Sequence, residues 1–285
     1  MKLVHYIDPD QFLTLVLKLF GDQEARYNLL LSLVKRVVEN PNYYEKEPLM
    51  TAVYEENQVI LLAFMTTPPR DLLLVSTQEY PSAALDMLAD DLWQKGISIH
   101  GVNCEKTLSA AFAHLWGHRG ALKPEIGMRQ RIYRLDRVFK PIPSPGSYRK
   151  ATEQDKPILL DWTIQFMKEA MGEEDPERAE KLVDLQIQTG NLFVWEDEYL
   201  VSMAAKTRET NHGAVVSLVF TPLEKRGKGY ASNLVAVLSQ NLLNQGFTFC
   251  ALFTDLSNPI SNAIYQQIGY YPVADMDQYV FSKEL

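Results

Sequence analysis

Cysteine is nearly absent: the 285 residues hold two, Cys104 and Cys250, each in or beside an apolar segment. That excludes a disulfide-stapled secreted scaffold and suits a reducing compartment. Long apolar runs are missing as well, and none approaches the roughly 20 residues a membrane-spanning helix needs. The opening MKLVHYIDPDQ turns polar too early for a signal peptide. Positive charge is the minority sign, with 28 Lys and Arg against 36 Asp and Glu and a net charge of −8. A broad basic face that neutralises phosphates is therefore disfavoured. These absences predict a soluble cytoplasmic protein with neither a nucleic-acid nor a membrane partner.

What remains is ordinary globular material, 46% hydrophobic and 22% charged, long enough for two domains of average size. The stretch PIPSPGSYRKAT (141–152) follows the basic, strand-like IGMRQRIYRL and reads as a linker with a new strand at its end. The boundary is placed near Gly146, giving domains at 1–140 and 147–285. The two halves resemble one another. VYEENQVILLAFMT (53–66) and VWEDEYLVSMAAKT (194–207) are each an apolar strand, an acidic turn and a second apolar strand, in register at an offset of 141. Each half opens with a short strand and helical segments and adds a third strand after its hairpin, DLLLV (71–75) or AVVSL (214–218). Each then runs through an amphipathic helix to a glycine before another strand, KGISIH at Gly96 and QGFTFCAL at Gly246. The order β-α-α-β-β-β-α-β recurs.

The halves differ in one place: residues 76–95 correspond to the longer stretch 219–245, which contains PLEKRGKG. A segment that one copy omits is not required by the fold and points to a ligand. It precedes YASNLVAVLSQNLLNQG, where Leu234, Val237, Leu238 and Leu242 share a helical face and Gly246 supplies the stop. The loop thus meets a helix N-terminus, whose unpaired N–H groups and positive dipole end suit phosphate oxygens. Gly227 and Gly229 would let the backbone approach a pyrophosphate where a Cβ would collide. Lys225, Arg226 and Lys228 would add charge. Neither the three glycines of a dinucleotide-binding turn nor a Walker loop is present. An exposed cationic turn capped by glycines explains the same residues without a ligand.

At these residues the sequence resembles a known family. VFTPLEKRGKGYASNLV is similar to the acetyl-coenzyme A loop of the GCN5-related N-acetyltransferases, Arg/Gln-x-x-Gly-x-Gly/Ala, with Glu224 at the Arg/Gln position. DLSNPISNAIYQQIGYYPV (255–273) resembles the family's later motif through Asn258, Ser261, Tyr265, Gly269 and Tyr270. The resemblance implies an α/β fold of two tandem domains, each a mixed, largely antiparallel sheet flanked by helices, the first copy degenerate. It further implies transfer of an acetyl group from acetyl-coenzyme A to a primary amine of a small molecule or a protein, by direct attack on the thioester. Leu218, Val219 and Phe220 would offer backbone groups to the pantetheine arm. The loop from Lys225 through Tyr230 and Ala231 would hold the pyrophosphate. Asn258 would bond the pantetheine amides or cap the helix beginning near Pro259, and Ser261 would complete the cofactor site. Tyr265 matches the donor that assists departure of the thiolate, or else packs under Tyr270 and Tyr271.

Other residues stay open. No general base is marked by spacing; Glu196, Asp197 and Glu198 read as a solvated hairpin turn, and Ser217 as a strand serine bonded within the sheet. Trp162 and Phe166 recur at core spacing on a helix expected to border the acceptor. Glu169, Glu173, Glu174 and Asp175 could attract a cationic amine or form a solvated helix end. His114 and His118 stand four apart without the further ligands a zinc site needs. Two readings compete with the acetyltransferase. One is an acetyl-coenzyme A-binding sensor or interaction module without turnover. The other is an aminoacyl- or peptidoglycan-type transferase, whose basic tRNA-binding surface the net charge disfavours. The number of chains that assemble, a homodimer included, is not fixed by the sequence.

Overall fold

The computed structural model describes residues 1–283 except 68, 69, 140, 142 and 173. The chain divides into two compact units, Met1–Arg131 with the stretch from Ala274 onward, and Ile132–Val273. These limits differ from the sequence halves 1–140 and 147–285. The last strand pairs with the first unit rather than with its own sequence half, and the connecting segment packs within the second.

The first series of elements is β1 (Lys2–His5), α1 (Pro9–Phe20), α2 (Asn28–Glu39), β2 (Leu49–Glu55), β3 (Gln58–Met65), β4 (Asp71–Ser76), α3 (Ser82–Gln94), β5 (Gly101–Glu105), α4 (Lys106–Gly120) and β6 (Leu122–Leu135). The second is β7 (Ser147–Lys150), α5 (Lys156–Met171), α6 (Pro176–Gln188), β8 (Leu192–Asp197), β9 (Tyr199–Glu209), β10 (Gly213–Phe220), α7 (Tyr230–Asn244), β11 (Phe249–Asp255), α8 (Pro259–Ile268) and β12 (Tyr271–Lys283). The order recurs, with an αβ pair closing each copy. Helix starts follow local chemistry: Asp8, Asp175 and Asn258 each accept a hydrogen bond from a first-turn N–H, with proline next in the chain. No helix among the described residues is long and apolar enough to cross a membrane.

In the first unit β1, β2, β3 and β4 pair antiparallel in sequence order, β4 pairs β5 in parallel, and β12 runs antiparallel to β5, Met276 opposite Glu105. Its core has two layers. Leu72 and Leu74 pack toward α3 and α4, whereas Leu73 and Val75 face α1 and α2, the strict alternation of a regular strand. The strand expected at KGISIH begins later, at Gly101, since Ile97 to His100 make no ladder. Gly101 itself admits no side chain: a Cβ there would lie 2.3 Å from the Tyr279 carbonyl oxygen.

In the second unit β7, β8, β9 and β10 pair antiparallel, and β10 runs parallel to β11. One apolar layer, including Leu234, Leu238, Tyr265 and Tyr270, lies under α7 and α8; the other, including Leu159, Trp162 and Val183, lies under α5 and α6. Trp162 is a core residue, 4% exposed.

Candidate functional site

β10 does not keep the strict alternation of a regular strand. Ala214 and Val216 face α7, yet Leu218 and Phe220 are buried in the layer under α5 and α6. The reversal occurs at a β-bulge between Ser217, opposite Ala205, and Phe220, opposite Met203. Leu218 sits there at φ +52°, a left-handed conformation rare for a non-glycine residue. Beyond the bulge Ser202, fully buried on β9, donates to the Phe220 carbonyl at 3.0 Å and accepts from the Thr221 hydroxyl at 2.9 Å. On its other side β10 pairs with β11, among the described residues, from Gly213 to Val215 and no further. The strands separate after that, leaving the edge of Val216 to Phe220 open toward β11. β4, the equivalent strand of the first unit, has no register shift against β3.

The loop follows directly. A short 3-10 turn, Leu223–Lys225, leads to Gly227 and Gly229 at φ +79° and +80°, with Gly229 capping α7. Glycine is needed at both because an L side chain is strained there. Among the described residues, no N–H from Gly227 to Ser232 donates to a backbone carbonyl; the first of the helix to do so is Asn233, to Gly229 at 3.0 Å. A run of free donors at a helix N-terminus is an anion cradle. A Cβ at Gly227 would meet nothing within 4 Å.

The cations are arranged unequally. Lys228 is exposed and Lys225 half-buried. Arg226 is engaged: its Nη2 contacts both oxygens of Glu169 at 2.7 and 2.9 Å, and its Nε donates to the Thr221 carbonyl. Tyr230 turns its ring into the core, and its hydroxyl donates to Asp197 at 2.5 Å, a bond that raises its pKa. Its N–H, like that of Ala231, belongs to the run of unpaired donors from Gly227 to Ser232.

Because β10 and β11 are parallel, α7 and α8 begin at the same, carboxyl edge of the sheet. Asn258 Oδ1 accepts from the Ser261 N–H at 3.0 Å, so the side chain caps α8, and Ser261 contributes that N–H. Tyr265 lies on α8, 8% exposed, its ring edge-on to Tyr270 at 6.0 Å. Tyr271 is not part of this packing; its hydroxyl donates to Asp136 at 2.6 Å. Tyr270 is fixed to Ser239 of α7 at 2.8 Å. No group among the described residues bonds the Tyr265 hydroxyl, and burial pushes its pKa up to about 12.

The remaining carboxylates largely have partners. Glu196 pairs with Arg149 at 2.7 Å, and Asp197 holds Tyr230, so these two are not a merely solvated turn. Asp175 caps α6, Glu174 pairs with Lys168, and Glu169 holds Arg226; Glu173 lies outside the described residues. Phe166 packs half-buried against the layer that holds Trp162. Ser217 is half-buried at the start of the bulge. His114 and His118 lie on α4, and no group of three metal-ligating side chains comes together among the described residues. Sequence reasoning missed Ser202 and the bulge. It also missed Arg149, which forks onto Asp155 at 2.8 and 2.9 Å and holds that carboxyl down at about 2.

Residues 196–280 match the family described as FR47-like protein. No curated protein matches the chain. Among solved structures, a Drosophila protein is 15% identical with a TM-score of 0.70, the match covering 99% of each chain. A GCN5-related N-acetyltransferase from Sphaerobacter thermophilus is 11% identical with a TM-score of 0.64, over 97% of this chain and 94% of that one. A tandem protein of the same fold from the clavulanic acid biosynthesis pathway is 11% identical with a TM-score of 0.57, over 99% and 98%. The chain thus has the tandem fold of the GCN5-related N-acetyltransferases, and its match to the FR47-like family begins in β8 and ends in β12.

Proposed function

We propose that the second unit binds acetyl-coenzyme A and transfers the acetyl group to a primary amine of a small molecule, in a cytoplasmic setting. The observation that carries this reading is the continuity of three features. The opened edge of β10 after the bulge leads into the free N–H groups of Gly227 to Ser232, beside a second helix that bears a buried tyrosine. An extended pantetheine arm has unpaired strand backbone to lie along. Its pyrophosphate has a cradle with Lys228 alongside, and the residues present fit the group.

In the reaction the amine nitrogen attacks the thioester carbonyl, the carbon–sulfur bond breaks, the amine gives up a proton and the thiolate gains one. The departing thiolate, whose thiol has a pKa of about 8.5, is a far weaker base than the anion of a phenol held near 12. Tyr265 therefore acts as a hydrogen-bond donor to the departing sulfur throughout the neutral range, and its own ionisation is not required. α8 follows β11, the strand that parts from β10, which supports that role for Tyr265.

The same phenol gives some support to a binding module without turnover, since complete proton transfer from it is uphill. Acetyl-coenzyme A titration followed by acetylation assays on an amine panel separates the two. One site per chain with turnover supports the enzyme; one site with no product on any amine supports the sensor.

A further inference from the structure

The segment after β6 has the composition of a linker, PIPSPGS, but its end is fixed to the second unit. Trp195 Nε1 donates to the Pro145 carbonyl at 2.7 Å. Gly146, at φ +99°, lies so close to β8 that a Cβ would meet the Glu196 carbonyl oxygen at 2.3 Å, Trp195 Nε1 at 2.8 Å and Asp197 Cβ at 3.0 Å. Asp197 in turn accepts the Tyr230 hydroxyl at 2.5 Å. Tyr230 follows Gly229 in the chain, and a Cβ on Gly229 would stand 3.9 Å from Ser144 Cβ. The segment thus runs beside Gly229 at Ser144 and close against Asp197 at Gly146, and Asp197 holds the hydroxyl of Tyr230, the residue after Gly229. Ser144 Oγ is buried with no hydrogen-bond partner among the described residues. No hydrogen bond from that hydroxyl therefore ties the segment to the loop.

We propose that Ser144–Gly146 is a positioning strap that holds the first turn of α7, and with it the free N–H groups, in the anion-ready arrangement. The two left-handed glycines of the loop give it freedom that the loop's own hydrogen bonds do not remove. Tyr230 and Gly146 remove it by tying the turn to the rigid β8–β9 hairpin. The strap's effect on acetyl-coenzyme A rests on the function proposed above; its effect on the loop does not.

The test uses two variants of the full chain, Gly146→Ala, which cannot seat against β8, and Tyr230→Phe, which deletes one hydroxyl and keeps the core ring. Hydrogen exchange is followed at Asn233, Leu234 and Val235, the first protected amides of α7, with the amides of Ser239 to Leu243 as internal reference. The strap predicts about five-fold or faster exchange at the first set and none at the reference. It also predicts a KM for acetyl-coenzyme A raised about five-fold at nearly unchanged kcat, a split that general destabilisation would not give. Unchanged exchange at Asn233 to Val235 in whichever variant folds overturns the strap. Absence of acetyl-coenzyme A binding by the unaltered chain overturns the proposed function instead, and the exchange result still decides the strap.

Discussion

Ser202 donates its hydroxyl hydrogen to the Phe220 carbonyl at 3.0 Å, across the bulge that opens β10. Ser202 is fully buried, and Thr221 donates to the same hydroxyl oxygen. Replacing Ser202 by Ala leaves both neighbours without that partner, at an expected cost of about 1 kcal/mol. Urea denaturation reads the stability. Because the strand after the bulge loses an anchor, the KM for acetyl-coenzyme A should rise several-fold with kcat nearly kept. An unchanged KM would show that the hydroxyl serves packing alone.

Leu218 gives an inverted ranking of variants. Its side chain is 3% exposed, so Leu218→Ala is expected to cost about 2–4 kcal/mol. Its φ of +52° suits glycine better than alanine. Leu218→Gly should therefore be more stable than Leu218→Ala by about 1 kcal/mol, the reverse of the usual order in a strand. Denaturation midpoints of the two variants settle it; alanine the more stable would mean the backbone is not left-handed there.

Tyr265→Phe should lower kcat about 10- to 100-fold while the Kd for acetyl-coenzyme A stays the same, as expected for a donor used late in the reaction. The pH dependence is specific. With its pKa raised to about 12, the folded phenol is still protonated at pH 10. The stability from burying it neutral is complete below the unfolded value near 10 and is lost as pH rises through 12. A pH–rate profile whose high-pH limb falls near 10 in the unaltered protein and vanishes in Tyr265→Phe would contradict this assignment.

Asp155 works in the opposite direction. Held at about 2 by Arg149 first and by Thr152 after it, the carboxylate stabilises the second unit above its unfolded value near 3.8. That stability, about 2 kcal/mol at neutral pH, is lost as pH falls through 2. Asp155→Asn should be destabilised at pH 7 and converge on the unaltered protein near pH 2. Melting temperatures across that range check it, and a constant gap between the two curves would exclude the linkage.

Much of this was legible in the sequence. Apolar period, glycine stops and the repeated hairpin mark the elements of both copies, and the omission in residues 76–95 singles out the loop as a segment that the first copy does without. The bulge was not legible. AVVSLVF is apolar at every position but Ser217, so no alternation in it tells which face each side chain takes, and the structure puts Val216 in one core and Leu218 in the other. The exchange of the last strand was hidden for a related reason. Nothing local in β12 states that Met276 pairs with Glu105 rather than with a residue of its own half. Tyr230 was read through its position beside the glycines, whereas its ring joins the core and its hydroxyl joins the hairpin.

The central claim is that the loop before α7 holds the pyrophosphate of acetyl-coenzyme A. The most direct measurement is calorimetric titration of acetyl-coenzyme A into the unaltered chain and into Gly227→Glu, where an L side chain is strained at φ +79° but a Cβ meets nothing within 4 Å, and the carboxylate would repel phosphate among the unpaired N–H groups. Binding at one site per chain, lost or weakened at least about 100-fold in a variant that keeps its fold, is the predicted result. Equal affinity in both proteins, or no binding by either, would contradict it.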